Sequence, residues 1–275
     1  MFVIPFPHIN PYIIKFGELG ITWYSLSYVF GIILGWQYCN YLIKKSNSPV
    51  TIKLMDEFIT WIIIAIIAGG RLGHVMLYEP LHFLTHPIEI FQTYKGGMSF
   101  HGGFAGVGIA VFIFCKKYKV KFFDLSDLLA VGAPIGLGLG RVANFINGEL
   151  YGSVTTMPWG VVFPGGGDLP RHPSQLYEAL TEGLLLLVVM SYFAFKNEYY
   201  LRKGFLTGVF VAGYAISRFV CEIFRIPDFE FMGLSAGQLY SVPMFVIGVW
   251  FVVNAKYQKT SYVSVLARRS NLRRS

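Results

Sequence analysis

Seven runs of about twenty largely apolar residues dominate this 275-residue chain, and a helix of that length matches the hydrocarbon thickness of a bilayer. They extend approximately over Ile21–Ile43, Met55–Tyr78, Met98–Cys115, Leu125–Phe145, Leu176–Phe195, Phe205–Phe224 and Ala236–Asn254, the fourth and fifth being interrupted by Gly, Pro and polar residues. Charged residues make up 14% of the chain, against about 25% in an ordinary soluble domain. The mean hydropathy is +0.53, and Gly, Phe and Tyr are abundant in the way membrane helices favour. The expected class is an all-α integral membrane protein with about seven transmembrane helices. Cys39, Cys115 and Cys221 lie in apolar runs without metal-ligand spacing or an obvious pairing, as buried small hydrophobes would.

The placement of the basic residues orients the helices. The chain has 23 Lys and Arg against 15 Asp and Glu. Sixteen of the 23 fall in short polar segments: Lys44, Lys45 and Lys53; Lys116, Lys117, Lys119 and Lys121; Lys196, Arg202 and Lys203; and six from Lys256 to Arg274. These follow the first, third, fifth and seventh runs. Positive charge in connecting loops marks the cytoplasmic side, so the N-terminus is expected outside and the C-terminus in the cytoplasm. The net charge of +8 then reads as attraction to anionic lipid rather than to nucleic acid.

Three parts are expected. Residues 1–20, with Pro5, Pro7 and Pro11, form an outer-surface N-terminal segment with neither the basic region nor the cleavage site of a signal peptide. Residues 21–255 form the membrane domain, with an external head at about 148–171 that is rich in turn residues. Residues 256–275 form a basic cytoplasmic tail. There is no transporter-type repeat.

The remaining basic residues are Lys15, Lys95, Arg71, Arg141, Arg171, Arg218 and Arg225. Several stand inside or at the rim of apolar runs, where an Arg or Lys costs roughly 2.5–3.5 kcal/mol unless it faces a polar cavity. In Gly140-Arg-Val-Ala-Asn-Phe-Ile-Asn-Gly-Glu, Arg141 and Asn144 share a helical face, and Asn147 and Glu149 follow at its end. The Arg fork suits phosphate, and the amides suit an ester or glycerol oxygen. The bland alternative is an anchored helix end capped at Gly148. Tyr214, Arg218, Glu222 and Arg225 form one stripe at helical spacing, with Arg218 and Glu222 able to pair. Two Arg against one Glu leave it net positive, so an anion would complete it. His101 lies in Lys95-Gly-Gly-Met-Ser-Phe-His-Gly-Gly, where glycines and a helix start suit close approach to an anion. An ordinary pKa near 6.5 makes it either a proton acceptor or a hydrogen-bonded structural residue. Weaker candidates are Tyr24 at the outer interface, Arg71 with His74 on a glycine-rich helix face, and Gln175, Tyr177 and Glu178 at the start of the fifth run. Glu182 lies one turn deeper, placed to neutralise an arginine. With the expected orientation, His101, Arg141–Asn147 and Arg218–Arg225 all fall toward the outer side. There is no Ser-His-Asp spacing, nucleotide loop or Cys/His metal pattern.

At these motifs the chain resembles the bacterial phosphatidylglycerol–prolipoprotein diacylglyceryl transferase family. The matching stretches are the Gly-Arg-Val-Ala-Asn-Phe-Ile-Asn-Gly-Glu segment ending at Glu149, Phe100-His-Gly-Gly, Arg171-His-Pro-Ser-Gln-Leu-Tyr-Glu, and Arg218-Phe-Val-Cys-Glu-Ile-Phe-Arg-Ile-Pro-Asp. The resemblance implies a multi-pass enzyme of the bacterial cytoplasmic (inner) membrane. Its partners are phosphatidylglycerol, the prolipoprotein signal peptide with its lipobox cysteine, and membrane lipids. It implies transfer of the diacylglyceryl group to the cysteine thiol, giving a thioether and glycerol phosphate, with no metal or organic cofactor. Arg141 and Arg218 would stabilise the leaving phosphate. His101 would either take the thiol proton or position lipid while the arginines activate the thiol. Asn144, Asn147 and Glu149 would bind the glycerol head group, supported by Tyr24, Tyr214, Glu222 and Arg225. The alternative is a lipid or anion transporter with an arginine-lined pathway.

Overall fold

The computed structural model describes residues 4–7, 9–16, 19–46, 48–93, 96–196, 202–227 and 229–256. Lys95 and the expected basic tail from residue 257 onward lie outside the described residues. All seven apolar runs are helical: α1 (Trp23–Lys45), α2 (Ile52–Leu77), α4 (Phe100–Tyr118), α5 (Phe122–Asn147), α6 (Ser174–Phe195), α7 (Phe205–Cys221, continued by a 3₁₀ turn over Glu222–Phe224) and α8 (Ala236–Asn254); the short α3 (Pro80–Thr85) follows α2. Five of these, the ones in α2, α5, α6, α7 with its 3₁₀ turn, and α8, are long and apolar enough to cross a membrane. Gln37 and Asn40 interrupt α1, and α4 opens on His101-Gly-Gly.

The class is not purely helical. The N-terminal segment, expected at the outer surface, carries β1 (Ile4–Pro5) and an antiparallel hairpin of β2 (Tyr12–Phe16) with β3 (Leu19–Thr22). Prolines 5, 7 and 11 exclude helix there, and β-branched Ile13, Ile14, Ile21 and Thr22 favour strand. A second hairpin, β5 (Glu230–Phe231) with β6 (Leu234–Ser235), precedes α8.

The chain divides into two compact units. In the unit of residues 47–126, α2 and α4 cross on glycines. A Cβ at Gly69 would stand 2.5 Å from the Gly102 carbonyl oxygen, and one at Gly73 would stand 2.5 Å from Gly102 Cα. Small residues four apart permit this approach, which replaces the hydrophobic drive that lipid cannot supply. The buried Arg71 donates through Nε to the Ile90 carbonyl (2.7 Å), through Nη1 to those of Gly96 (2.8 Å) and Gly97 (3.1 Å), and through Nη2 to that of Glu89. It is a backbone clamp for the segment after α3.

In the other unit, residues 1–46 and 127–275, Gly31 and Gly35 of α1 face Gly136 and Gly132 of α5 in the same manner. The glycines that interrupt the fourth apolar run are thus its packing surface. Asp127 of α5 reaches the start of α7, accepting from the Gly204 and Thr207 backbone N–H groups (2.8 Å each) and the Thr207 hydroxyl (2.6 Å). The segment between α5 and α6, here called the cap, contains a short strand. Its strand β4 (Val161–Val162) pairs in parallel with β1, and Val161 exchanges two backbone hydrogen bonds with Arg171 at 2.9 Å. Phe6, Val161 and Phe163 form its small core, against Phe145 of α5. The cap is tied to the end of α7 by the Ser153 N–H, which donates to the Phe224 carbonyl (2.9 Å).

Candidate active site

The end of α5 is shaped by its own sequence. Gly148 takes a left-handed φ of 68° just past Asn147, the conformation glycine adopts at low cost after a helix. The reversal carries Glu149 back over the last turn. Its Oε1 accepts from the Asn144 amide (2.8 Å) and the Asn147 amide (3.2 Å), while its carbonyl accepts from Gln175 Nε2 at 2.6 Å. Among the described residues, Asn147 Oδ1 and Gln175 Oε1 are buried there without a hydrogen-bond partner.

Arg141, on the same face, turns to α6. Its Nη1 lies 3.2 Å from Glu178 Oε2 and its Nη2 3.2 Å from Glu182 Oε2. The two carboxylates are four apart, and α6 is π-helical over Ala179–Leu185. The wider turn of a π segment keeps residues four apart in register, and such segments recur at functional sites. Glu178 and Glu182 therefore meet one guanidinium.

From the other side come Arg218 of α7 and Arg225. Arg218 Nη1 lies 2.5 Å from Glu178 Oε1, and its Nη2 lies 2.9 Å from Glu222 Oε2. The expected helical stripe gives way at Glu222 to the 3₁₀ turn, and Arg225 is extended. Arg225 still reaches Glu178 (Nη1, 3.1 Å) and Glu222 (Nε, 3.6 Å). The result is one network of three arginines and three glutamates. The single excess positive charge counted on one helix is met inside the protein by Glu178 and Glu182, so the stripe is not left net positive.

Its layering matters more than its total. Glu178 and Glu182 are fully enclosed at 0% side-chain exposure, and Glu222 stands at 4%, whereas Arg141 and Arg218 keep 18% and 20%. The carboxylates form the floor and the guanidiniums the accessible edge. A guanidinium carries five N–H donors in a fixed plane, and the carboxylate floor holds that plane in one orientation.

Tyr214 lies within electrostatic range of Glu182, Arg141 and Arg218. Tyr24, in the first turn of α1 and hydrogen-bonded to the Tyr28 hydroxyl (3.0 Å), lies within range of Glu149 and Arg141. Arg141, Asn144, Asn147, Glu149, Tyr214, Arg218, Glu222, Arg225 and Tyr24 thus belong to one unit and one neighbourhood. His101 belongs to the other unit. It is exposed in the first turn of α4, beside Ser99, whose hydroxyl caps the helix by accepting the Gly102 N–H at 3.2 Å. Sequence reasoning ranked Glu178 among the weaker candidates, yet Glu178 is the hub of the network. The available signal was two acidic residues four apart in an apolar run.

The family described as prolipoprotein diacylglyceryl transferase matches residues 11–254. Proteins named phosphatidylglycerol–prolipoprotein diacylglyceryl transferase are similar over nearly their whole length. That of Rickettsia akari is 51% identical and that of Rickettsia felis 50%, each over 251 residues, covering 90% of this chain and 97% of the relative. The one from Rickettsia bellii is 48% identical over 255 residues, covering 91% and 97%. With this match from the N-terminal hairpin to the end of α8, the chain belongs to the prolipoprotein diacylglyceryl transferase family.

Proposed function

We propose that the protein transfers the diacylglyceryl group of phosphatidylglycerol to the thiol of a prolipoprotein lipobox cysteine. The accessible arginine edge over a buried carboxylate floor is the observation that carries the reading. The cysteine sulfur loses its proton and bonds to the glyceryl carbon. The bond from that carbon to the phosphate oxygen breaks, and glycerol phosphate leaves with the electron pair. Negative charge grows on the departing phosphate, and donors already fixed in position stabilise it without reorganising. Arg141 and Arg218 fill that role. Asn144, Asn147 and Glu149 hold the glycerol head group: its hydroxyls donate to the carboxylate, and the unpaired Asn147 oxygen is an acceptor at the same helix end. Tyr24, Tyr214, Glu222 and Arg225 support the site, and His101 accepts the thiol proton. Neither step calls for a metal or organic cofactor. The family and its relatives' names point to transfer, and none points to transport.

The proposed setting is the bacterial cytoplasmic membrane, with seven helices crossing, the cap and N-terminus outside, and the C-terminus in the cytoplasm. A site at the outer ends of α5 and α7 takes a lipid whose head group is outside while its tails stay in the bilayer. Purified protein incubated with phosphatidylglycerol vesicles and a lipobox peptide is expected to yield one thioether-linked peptide per glycerol phosphate released. Lipid movement between leaflets without peptide modification would establish a transporter instead.

A further inference from the structure

Glu222 is confined by backbone as well as by arginines. The helix α8 starts at Ala236 behind the N-cap Ser235, and its second residue, Gly237, lies against the Glu222 carboxyl group. A Cβ at Gly237 would stand 2.5 Å from Glu222 Cδ and Oε2 and 2.8 Å from Oε1, far inside the contact distance of about 3.5–4.0 Å. The carboxylate end of Glu222, rather than the backbone, is what would give way. Its Oε2 is 2.9 Å from Arg218 Nη2 and 3.6 Å from Arg225 Nε, and its carbonyl accepts the Arg225 N–H at 3.2 Å. Space for a methyl group at 237 draws the carboxylate off the two guanidiniums. Backbone conformation gives no other reason for glycine here, since Gly237 is helical rather than left-handed. Alanine is the better helix former. What glycine gains is proximity.

We propose that Gly237 is a positioning residue for the transfer reaction. Its bare Cα sets where the Glu222 carboxylate rests, and Glu222 sets the planes of Arg218 and Arg225. The inference rests on the proposed role of those arginines, and it ties the hairpin-to-α8 junction to the chemistry.

The test compares four full-length forms in the vesicle assay: wild type, Gly237→Ala, Glu222→Asp and the double variant. Gly237→Ala is expected to lower kcat by about 10²-fold, the scale of a misplacement near 1 Å, with KM for the peptide changed by less than about threefold. On the Glu222→Asp background the shorter acid leaves room for the methyl group, so Gly237→Ala there should cost nothing or raise kcat. Equal losses on both backgrounds would mean that Gly237 only shapes the start of α8. No loss on the wild-type background would equally overturn the proposal. Should Gly237→Ala alone fail to accumulate, Glu222→Asp against the double variant decides: a double variant at least as active supports positioning through Glu222, and a slower one refutes it. A wild type that forms no thioether defeats the proposed function itself, whereas an active wild type with an indifferent Gly237→Ala defeats only this inference.

Discussion

Glu178 is wholly enclosed and still has three guanidiniums within 3.2 Å, which sets the terms for every substitution around it. Removing one partner of a buried ion pair costs roughly 3–5 kcal/mol, because the other charge stays buried and uncompensated. Arg141 is the only salt-bridge partner of Glu182 among the described residues. Arg141→Ala is therefore expected to lower both thermal stability and turnover, the latter by about 10²-fold or more as for a lost oxyanion donor. Adding Glu182→Gln should separate the two effects, since the neutral amide no longer needs a cation. Melting in detergent should recover in the double variant while thioether formation stays low. Recovery of both would make Arg141 a structural residue. A second test at this scale concerns His101. As the base, it should contribute the usual yield of general-base catalysis, so His101→Gln should lower kcat about 10²–10⁴-fold at saturating peptide. A loss below about tenfold would leave thiol activation to the arginines.

At the scale of elements, the cap carries its own titrating group. Trp159 Nε1 donates to the Tyr177 hydroxyl at 2.7 Å, and that hydroxyl is 3.0 Å from His172 Nδ1. An indole N–H only donates, which leaves the Tyr177 O–H free to donate to Nδ1 of a neutral His172. Burial pushes the His172 pKa below its ordinary value of 6.5. A depressed folded pKa means that the unfolded chain binds the proton more readily. The contribution to stability is then fully present above about pH 6.5 and is lost as pH falls through the lower folded value. Amide exchange over residues 151–172, corrected for its intrinsic rate, should accelerate below about pH 6.5, and His172→Gln should abolish the added acceleration. The same response in both forms would remove His172 as its source. The elements differ in how plainly the chain announces them. Helices α2, α7 and α8 follow from run length and hydropathy, and the Arg218–Glu222 pair from spacing, because each depends on neighbours in sequence. The π segment of α6, the pairing of β1 with β4 and the Glu178 hub depend on partners tens of residues away. The Gly237–Glu222 contact leaves no local pattern at all.

For the whole molecule, the sixteen of 23 basic residues that follow the first, third, fifth and seventh apolar runs make a topological claim open to direct measurement. Lys119 stands exposed just past α4, in the loop expected to be cytoplasmic, and Asp168 stands exposed in the cap expected outside. Burial therefore explains a failure to react at neither position. The three native cysteines are free and buried, and a buried thiol in apolar surroundings is poorly reactive, so the native chain supplies a low labelling background. In intact cells an impermeant thiol reagent applied from outside should label Asp168→Cys and spare Lys119→Cys until the membrane is opened. That outcome places the arginine edge at the outer ends of α5 and α7, where lipid head groups and an exported cysteine both arrive. The reverse pattern would put the site on the cytoplasmic face, where the positive-inside bias would have failed and a thiol on an exported signal peptide would have no access to the arginines.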